Sequence, residues 1–384
     1  MTIYILPINY PNPQSPTKDI FAYEQARALA KLGHKIVVLH VHKQPTRKIF
    51  KKISRKIEKS DDGFAVRYTL NSHTFMEHKL TAANSRHFTK KMMRLFQYAV
   101  QREGMPDALY AFFSVSAGYA GAKIAQKYQV PLAVFEANGV IMKGPNEQYQ
   151  KILRYTIDHA DVFSCVSDNL RKKIHEILNL QKEIGVIPCM IDKAFTYHPP
   201  VEKDYVRFYA LGNLFPGKRF ELLVNAFVRA FAPDENVKLY ISGKGERCEA
   251  IKAIISAAGR EDQIIMLGSQ SRDEILEQFS LCDCFVLPSA YETFGMVWRE
   301  AMAVGRPIIT TDHGGFDTWD EQWGIKIKVD DQDALVEALK TMKDTYGNYD
   351  GKYISESCLG LYGSNRVAKE VEESLNKAIE SHKA

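Results

Sequence analysis

Short apolar runs alternate with amphipathic helical patterns along most of the chain, and that alternation leaves few folds open. The first series reads as a strand over Ile3–Ile8, a helix over Ile20–Leu32 and a strand over Lys35–Val41, with Gly33 placed to end the helix. Ala108–Phe112, a helix around Ala117–Lys127, Leu132–Glu136, Val162–Val166 and a helix around Asp168–Leu178 continue it. Strands separated by helices are the signature of a parallel sheet.

Between Ile187 and Tyr205 the periodicity lapses around Pro188, Pro199 and Pro200, which predicts a connector. A second series follows: strands over Arg207–Leu211, Val237–Ser242, Ile264–Leu267, Cys284–Leu287, Pro307–Thr311 and Lys326–Val329, interleaved with helices over Phe220–Phe231, Glu249–Ala258, Asp273–Phe279 and Gly295–Val304. At 384 residues the chain exceeds what one core usually serves. Two doubly wound α/β domains are therefore expected, over 1–198 and 199–363, facing across a cleft. Residues 364–384 carry one apolar stripe, Val367, Val371, Leu375 and Ile379, and are expected to return as a helix to the first domain.

With 45% hydrophobic and 25% charged residues the chain is an ordinary globular protein, and a formal net charge of +5 is too mild to imply nucleic-acid binding. The six cysteines show no paired metal or redox spacing and are read as reduced, with Cys282 and Cys284 on one face of a strand. No leader pattern opens the chain and no apolar stretch approaches a bilayer span, so a cytoplasmic location is expected. Asp331-Gln332-Asp333 is read as the capped start of a helix, and no metal is assigned.

The densest chemical signal is Pro288-Ser289-Ala290-Tyr291-Glu292-Thr293-Phe294-Gly295-Met296-Val297-Trp298-Arg299-Glu300-Ala301, between a buried strand and a helix. Ligands of parallel α/β domains bind at such strand ends, and Gly295 opens the helix start to an anion. Two carboxylates, Glu292 and Glu300, suit vicinal hydroxyls of a sugar or ribose. Taken singly, Glu292 reads as a solvated loop acid and Glu300 as the ion-pair partner of Arg299 or Lys326.

Glu292-x7-Glu300, followed by Met302-Ala303 and Gly305-x-Pro307, resembles the family 4 retaining glycosyltransferases of the GT-B fold. Gly212-Asn213-Leu214 with Lys218, Ile241-Ser242-Gly243-Lys244-Gly245-Glu246, Met266-Leu267-Gly268 before Asp273-Glu274-Ile275, and Gly314-Gly315 are similar to that family's other donor-side motifs. In the first half, Tyr10-Pro11, Ile20-Phe21-x-x-Glu24-Gln25-Ala26 and Leu32-Gly33-His34 look like its opening strand, loop and helix, with Asp19 in place of the usual loop glycine.

The resemblance implies a metal-independent transfer from a nucleotide-diphosphate sugar, a UDP-sugar being favoured, to a saccharide or lipid-linked acceptor bound mainly by the first domain. It implies that Lys218 and Glu292 act in catalysis, and that Glu300 holds the ribose. It further places Asn213, Arg219, Gly243, Ser269 or Gln270, Thr293, Phe294, Gly295, Met296 and Val297 at the donor. Where the family usually has arginine this chain has Asn213, and Arg219 is either the compensating charge or an exposed arginine. Asn138 stands where many relatives have histidine, as a sugar contact or a turn residue. A nucleotide-sugar epimerase of the same fold and a non-catalytic partner subunit are the rival readings.

Arg47–Ile57 is basic with apolar residues at helical spacing, and Lys90, Lys91 and Arg94 lie beside Met92, Met93, Leu95 and Phe96. Both stretches read either as surfaces for anionic lipid, with the enzyme peripheral on the inner membrane face, or as solvated helix faces.

Overall fold

A computed structural model of the chain describes residues 1–11, 20–44, 53–60, 63–73 and 82–383. Asp19 and residues 47–52 of the basic stretch lie outside the described residues. The chain divides into two units, Met1–Met190 with Ser364–Ala384, and Ile191–Gly363. At the boundary the Ile191 N–H donates to the Tyr362 carbonyl at 2.8 Å, which joins the two ends of the inserted unit.

In the first unit the elements are β1 (Thr2–Leu6), α1 (Ile20–Lys31), β2 (Lys35–Gln44), β3 (Ile53–Ser60), β4 (Gly63–His73), α2 (Ala82–Glu103), β5 (Ala108–Phe112), α3 (Tyr119–Tyr128), β6 (Leu132–Glu136), α4 (Glu147–Asp158), β7 (Val162–Cys165), α5 (Asp168–Leu178) and β8 (Gly185–Val186). The strands form one sheet in the order β3-β4-β2-β1-β5-β6-β7-β8. Every described pairing is parallel except β3 with β4, so the sheet is mixed.

The second unit contains β9 (Val206–Leu211), α6 (Phe220–Ala230), β10 (Val237–Ser242), α7 (Cys248–Ala257), β11 (Ile264–Gly268), α8 (Arg272–Leu281), β12 (Cys284–Leu287), α9 (Met296–Ala303), β13 (Ile308–Thr311), β14 (Gly324–Ile327), α10 (Gln332–Thr345) and α11 (Gly351–Tyr362). Its strands run β11-β10-β9-β12-β13-β14, all parallel. Strands β12 and β13 are buried along their whole length, as a sheet covered on both faces requires. The strand order reverses between β9 and β12, and in an open parallel sheet the loops leaving such a pair diverge to opposite faces and leave a crevice.

Side chains cap the starts of two of these helices. Ser271 and Glu274 form a reciprocal capping box at the start of α8, and Asp331 caps α10 by accepting from the Ala334 N–H at 2.9 Å. The last helix, α12 (Ser364–Lys383), buries Val367, Val371, Leu375 and Ala378 and packs on α1, β5, β6 and β7 within the first unit. Cys282 and Cys284 are both buried, although Cys282 ends α8 and only Cys284 belongs to a strand.

Two expectations need correction. Ile53–Ile57 is not helical: it lies in β3, antiparallel to β4, and exposes Arg55 and Lys56 on a sheet edge that such charges keep from pairing further. In α2, Met92, Leu95 and Phe96 are fully buried, with Phe96 edge-on to Tyr4, so this apolar stripe faces the protein's own core, and of the three cations Lys90, Lys91 and Arg94 the first and last are exposed. Among the described residues no helix is long and apolar enough to cross a membrane.

Candidate active site

The sequence after β12 turns sharply into α9 because Gly295 adopts φ +84°, and a Cβ there would lie 2.7 Å from the Trp298 ring. Lacking a side chain, Gly295 offers no cap, so the first-turn amides of Met296 and Val297 remain available to an anion. The loop after β9 reaches the same place. The Ala290 N–H donates to the Gly217 carbonyl at 2.9 Å, and Tyr291 packs against Gly217 so closely that a Cβ there would touch its hydroxyl at 2.9 Å. This contact brings Lys218, 74 residues before Glu292, into a direct ion pair with it.

Glu300 follows one helical turn into α9 and is 4% exposed. Its partner is Arg272, at the start of α8, whose Nη1 donates to Glu300 Oε1 at 2.6 Å; neither Arg299 nor Lys326 serves. Burial pushes the Glu300 carboxyl upward, and the Arg272 guanidinium opposes that rise. Lys326 instead faces Asp312 at 3.8 Å.

The remaining predicted donor residues divide. Gly243, at φ +141°, lets the loop after β10 run against the loop after β9: a Cβ would fall 1.9 Å from the Gly212 carbonyl oxygen. Thr293 is half-buried beside Glu292, and Ser269 is exposed at the end of β11. Gln270 turns inward, accepting from Ser242 Oγ at 2.5 Å. Asn213 is exposed. Phe294 and Arg219 have partners of their own. The Phe294 ring is buried edge-on against Tyr362, and the Arg219 guanidinium is paired with Asp330 through contacts of 2.6 and 2.9 Å.

His313 gave no signal in the sequence. It is 5% exposed, lies 4.6 Å from the Trp298 ring, and accepts the Gly315 N–H at 2.9 Å on Nδ1, which shapes the turn packed on Glu292. Burial first, then repulsion from Arg299 and Lys218, lowers its imidazole to about 3. Between that value and the unfolded value near 6.5, the unfolded chain binds a proton that the folded chain refuses, so this contribution to stability is complete above about pH 6.5 and is lost on acidification toward pH 3. Denaturant titrations from pH 7 to pH 4 are expected to show a steeper acid loss in the wild type than in His313→Gln, by about 1 kcal/mol per pH unit.

In the first unit, the strand ends of β5 and β6 are joined by Glu136. It is fully buried and accepts from the backbone N–H groups of Ser114 at 2.8 Å and Asn138 at 2.7 Å, and from Ser114 Oγ. Asn138 in turn accepts from the Val140 N–H at 3.0 Å, so its side chain forms the local turn. Phe113 and Ser116, at φ +70° and +73°, hold strained conformations in the adjoining segment.

Residues 195–350 match the family model described as glycosyl transferases group 1, and residues 19–195 match the model described as Glycosyltransferase Family 4. The chain is 26% identical over 228 residues to the N-acetyl-alpha-D-glucosaminyl L-malate synthase of Bacillus anthracis, a match covering 56% of this chain and 58% of that protein. The chain thus spans little more than half the length of that curated relative. Sucrose-phosphate synthase from Thermosynechococcus elongatus superposes with a TM-score of 0.79 at 17% identity, covering 98% of this chain and 99% of that one. Anabaena HepE, solved in complex with UDP, superposes with a TM-score of 0.72 at 12% identity, covering 98% of this chain and 100% of that one. These superpositions establish the fold as GT-B.

Proposed function

The chain belongs to the family 4 glycosyltransferases, and from that membership we propose that it transfers a sugar, with retention of anomeric configuration, from a nucleotide-diphosphate donor to a saccharide acceptor. The observation that carries this reading is the meeting of Lys218 and Glu292 at the uncapped start of α9, with Glu300 buried one turn further along. The diphosphate takes the Met296 and Val297 amides and the Lys218 ammonium. Glu292, released from Lys218 when the phosphate arrives, accepts from the sugar's hydroxyls, and Glu300 accepts from the ribose. Negative charge grows on the leaving diphosphate as the glycosidic bond breaks, and the ammonium and amides stabilise that growth without a metal. A UDP-sugar is the favoured donor, in line with the UDP named for the Anabaena relative.

The test is incubation with UDP-, GDP- and ADP-sugars and oligosaccharide acceptors, reading nucleoside diphosphate release and the product's anomeric configuration by NMR. Retention with one donor class supports the reading. Conversion of the sugar nucleotide without acceptor turns it into an epimerase, and no binding of any nucleotide ends it. Turnover is expected to survive EDTA within about twofold, since the chain's own cations face the leaving group; loss of activity restored by Mg²⁺ or Mn²⁺ contradicts this part. A lipid-linked acceptor on a cytoplasmic membrane face rests on the exposed Lys90 and Arg94 of α2, and co-sedimentation with phosphatidylglycerol vesicles at low salt checks it.

A further inference from the structure

Arg299 is 1% exposed, and the acceptors around it are uncharged. Its guanidinium lies over the rings of Phe294, Phe316 and Tyr362, with centroid distances of 3.6, 4.5 and 4.6 Å. It donates to the carbonyl oxygens of Phe294, of Gly295 at 3.3 Å and of Gly315 at 2.8 Å. An arginine stays charged in any protein setting, so a full positive charge is held in a dry cage of carbonyls and π faces. Among the described residues no carboxylate pairs with it. Burying a charge on such terms is costly, and a methionine of similar length fills the same space without that cost.

The position of the charge is informative. Gly295 opens α9, and the turn at Gly315 packs on Glu292 so tightly that a Cβ on Gly315 would lie 3.0 Å from the Glu292 Cβ. One fork thus holds the two turns that flank Glu292, from behind the helix start. The positive field reaches this turn: repulsion from Arg299 is the second cause, after burial, of the lowered His313 imidazole, followed by Lys218 and, after a backbone hydrogen bond that acts the other way, Lys326.

We propose that Arg299 is a positioning residue of the donor site, fixing the Gly295 and Gly315 turns around Glu292 and placing a permanent positive charge behind the amides that receive the diphosphate. The inference rests on the donor reading above and adds to it a source of selectivity for the charged part of the ligand. The charge favours a nucleoside diphosphate over its uncharged nucleoside, which a packing residue would not do.

Calorimetry on the full chain tests this with UDP, GDP and ADP and with the corresponding nucleosides. For whichever diphosphate the wild type binds, Arg299→Met is expected to weaken diphosphate binding about tenfold while changing nucleoside binding about twofold or less, and Arg299→Lys is expected to restore most of the difference. Arg299→Gln serves as the neutral variant if Arg299→Met does not fold, with circular dichroism as the check. The His313 titration followed by NMR gives a ligand-free readout: the imidazole moves up in the neutral variants and stays low in Arg299→Lys. Equal losses for diphosphate and nucleoside, or unchanged diphosphate binding in a folded neutral variant, overturn the role of Arg299 while leaving the donor site standing. Failure of the wild type to bind any of the three diphosphates overturns both.

Discussion

Replacing Lys218 with alanine is expected to lower kcat by about 10²–10³-fold, with a much smaller change in KM. The ammonium is held at the end of the loop after β9 by the turn Pro216–Lys218 and by the backbone contact from Ala290 to Gly217. Without ligand its charge is taken up by Glu292, so exchanging that carboxylate for a phosphate changes partner rather than creating an interaction. What grows during the reaction is the charge on the leaving diphosphate, and only an interaction that strengthens with it speeds the chemical step. Steady-state kinetics with saturating donor check this. Lys218→Arg is expected to keep part of the activity, because the charge survives while its geometry changes. A Lys218→Ala variant with kcat near the wild-type value removes the residue from the mechanism.

Glu300→Ala is expected to weaken nucleotide binding by about 10–100-fold, the worth of a hydrogen bond to a charged acceptor in a buried place. The same change leaves Arg272 without its closest carboxylate, with Asp192 next at 3.7 Å, so the variant is also expected to lose about 1–3 kcal/mol of stability, less than a fully buried pair because the Arg272 side chain is 23% exposed. Calorimetry and denaturant unfolding separate the two effects. Glu300→Gln keeps an acceptor for a ribose hydroxyl and is expected to bind more tightly than Glu300→Ala. A Glu300→Ala variant that loses stability but binds every nucleotide like the wild type makes Glu300 a structural partner of Arg272 alone.

The alternation of strands and helices was readable because the strands of a covered parallel sheet are short, mainly apolar runs, and the predicted Ala108–Phe112, Leu132–Glu136, Val237–Ser242 and Cys284–Leu287 match the observed strands residue for residue. The strand ends then located the loops that carry Lys218, Glu292 and Gly295, since a parallel sheet offers its ligands one edge. Sequence could not show which apolar stripe meets lipid and which meets protein. Met92, Leu95 and Phe96 have the spacing either surface needs, and only the packing of α2 against β2 and β4 decides. Long-range partners were equally hidden. Arg272 lies 28 residues from Glu300, Asp330 lies 111 from Arg219, and no local pattern announces either pair. The motif that points to Phe294 could not show its packing either: the ring lies under the Arg299 guanidinium and edge-on to Tyr362. Arg299 was read only as one possible partner of Glu300, because the three carbonyls that hold it come from two turns separated by the length of α9 and β13.

The most direct measurement is the structure of the protein crystallised with a UDP-sugar, or with the GDP- or ADP-sugar that binds best. The diphosphate is expected on the Met296 and Val297 amides with Lys218 turned from Glu292 toward it, and the ribose hydroxyls on Glu300. A nucleotide bound elsewhere, with the Lys218–Glu292 pair intact and the start of α9 untouched, contradicts the account.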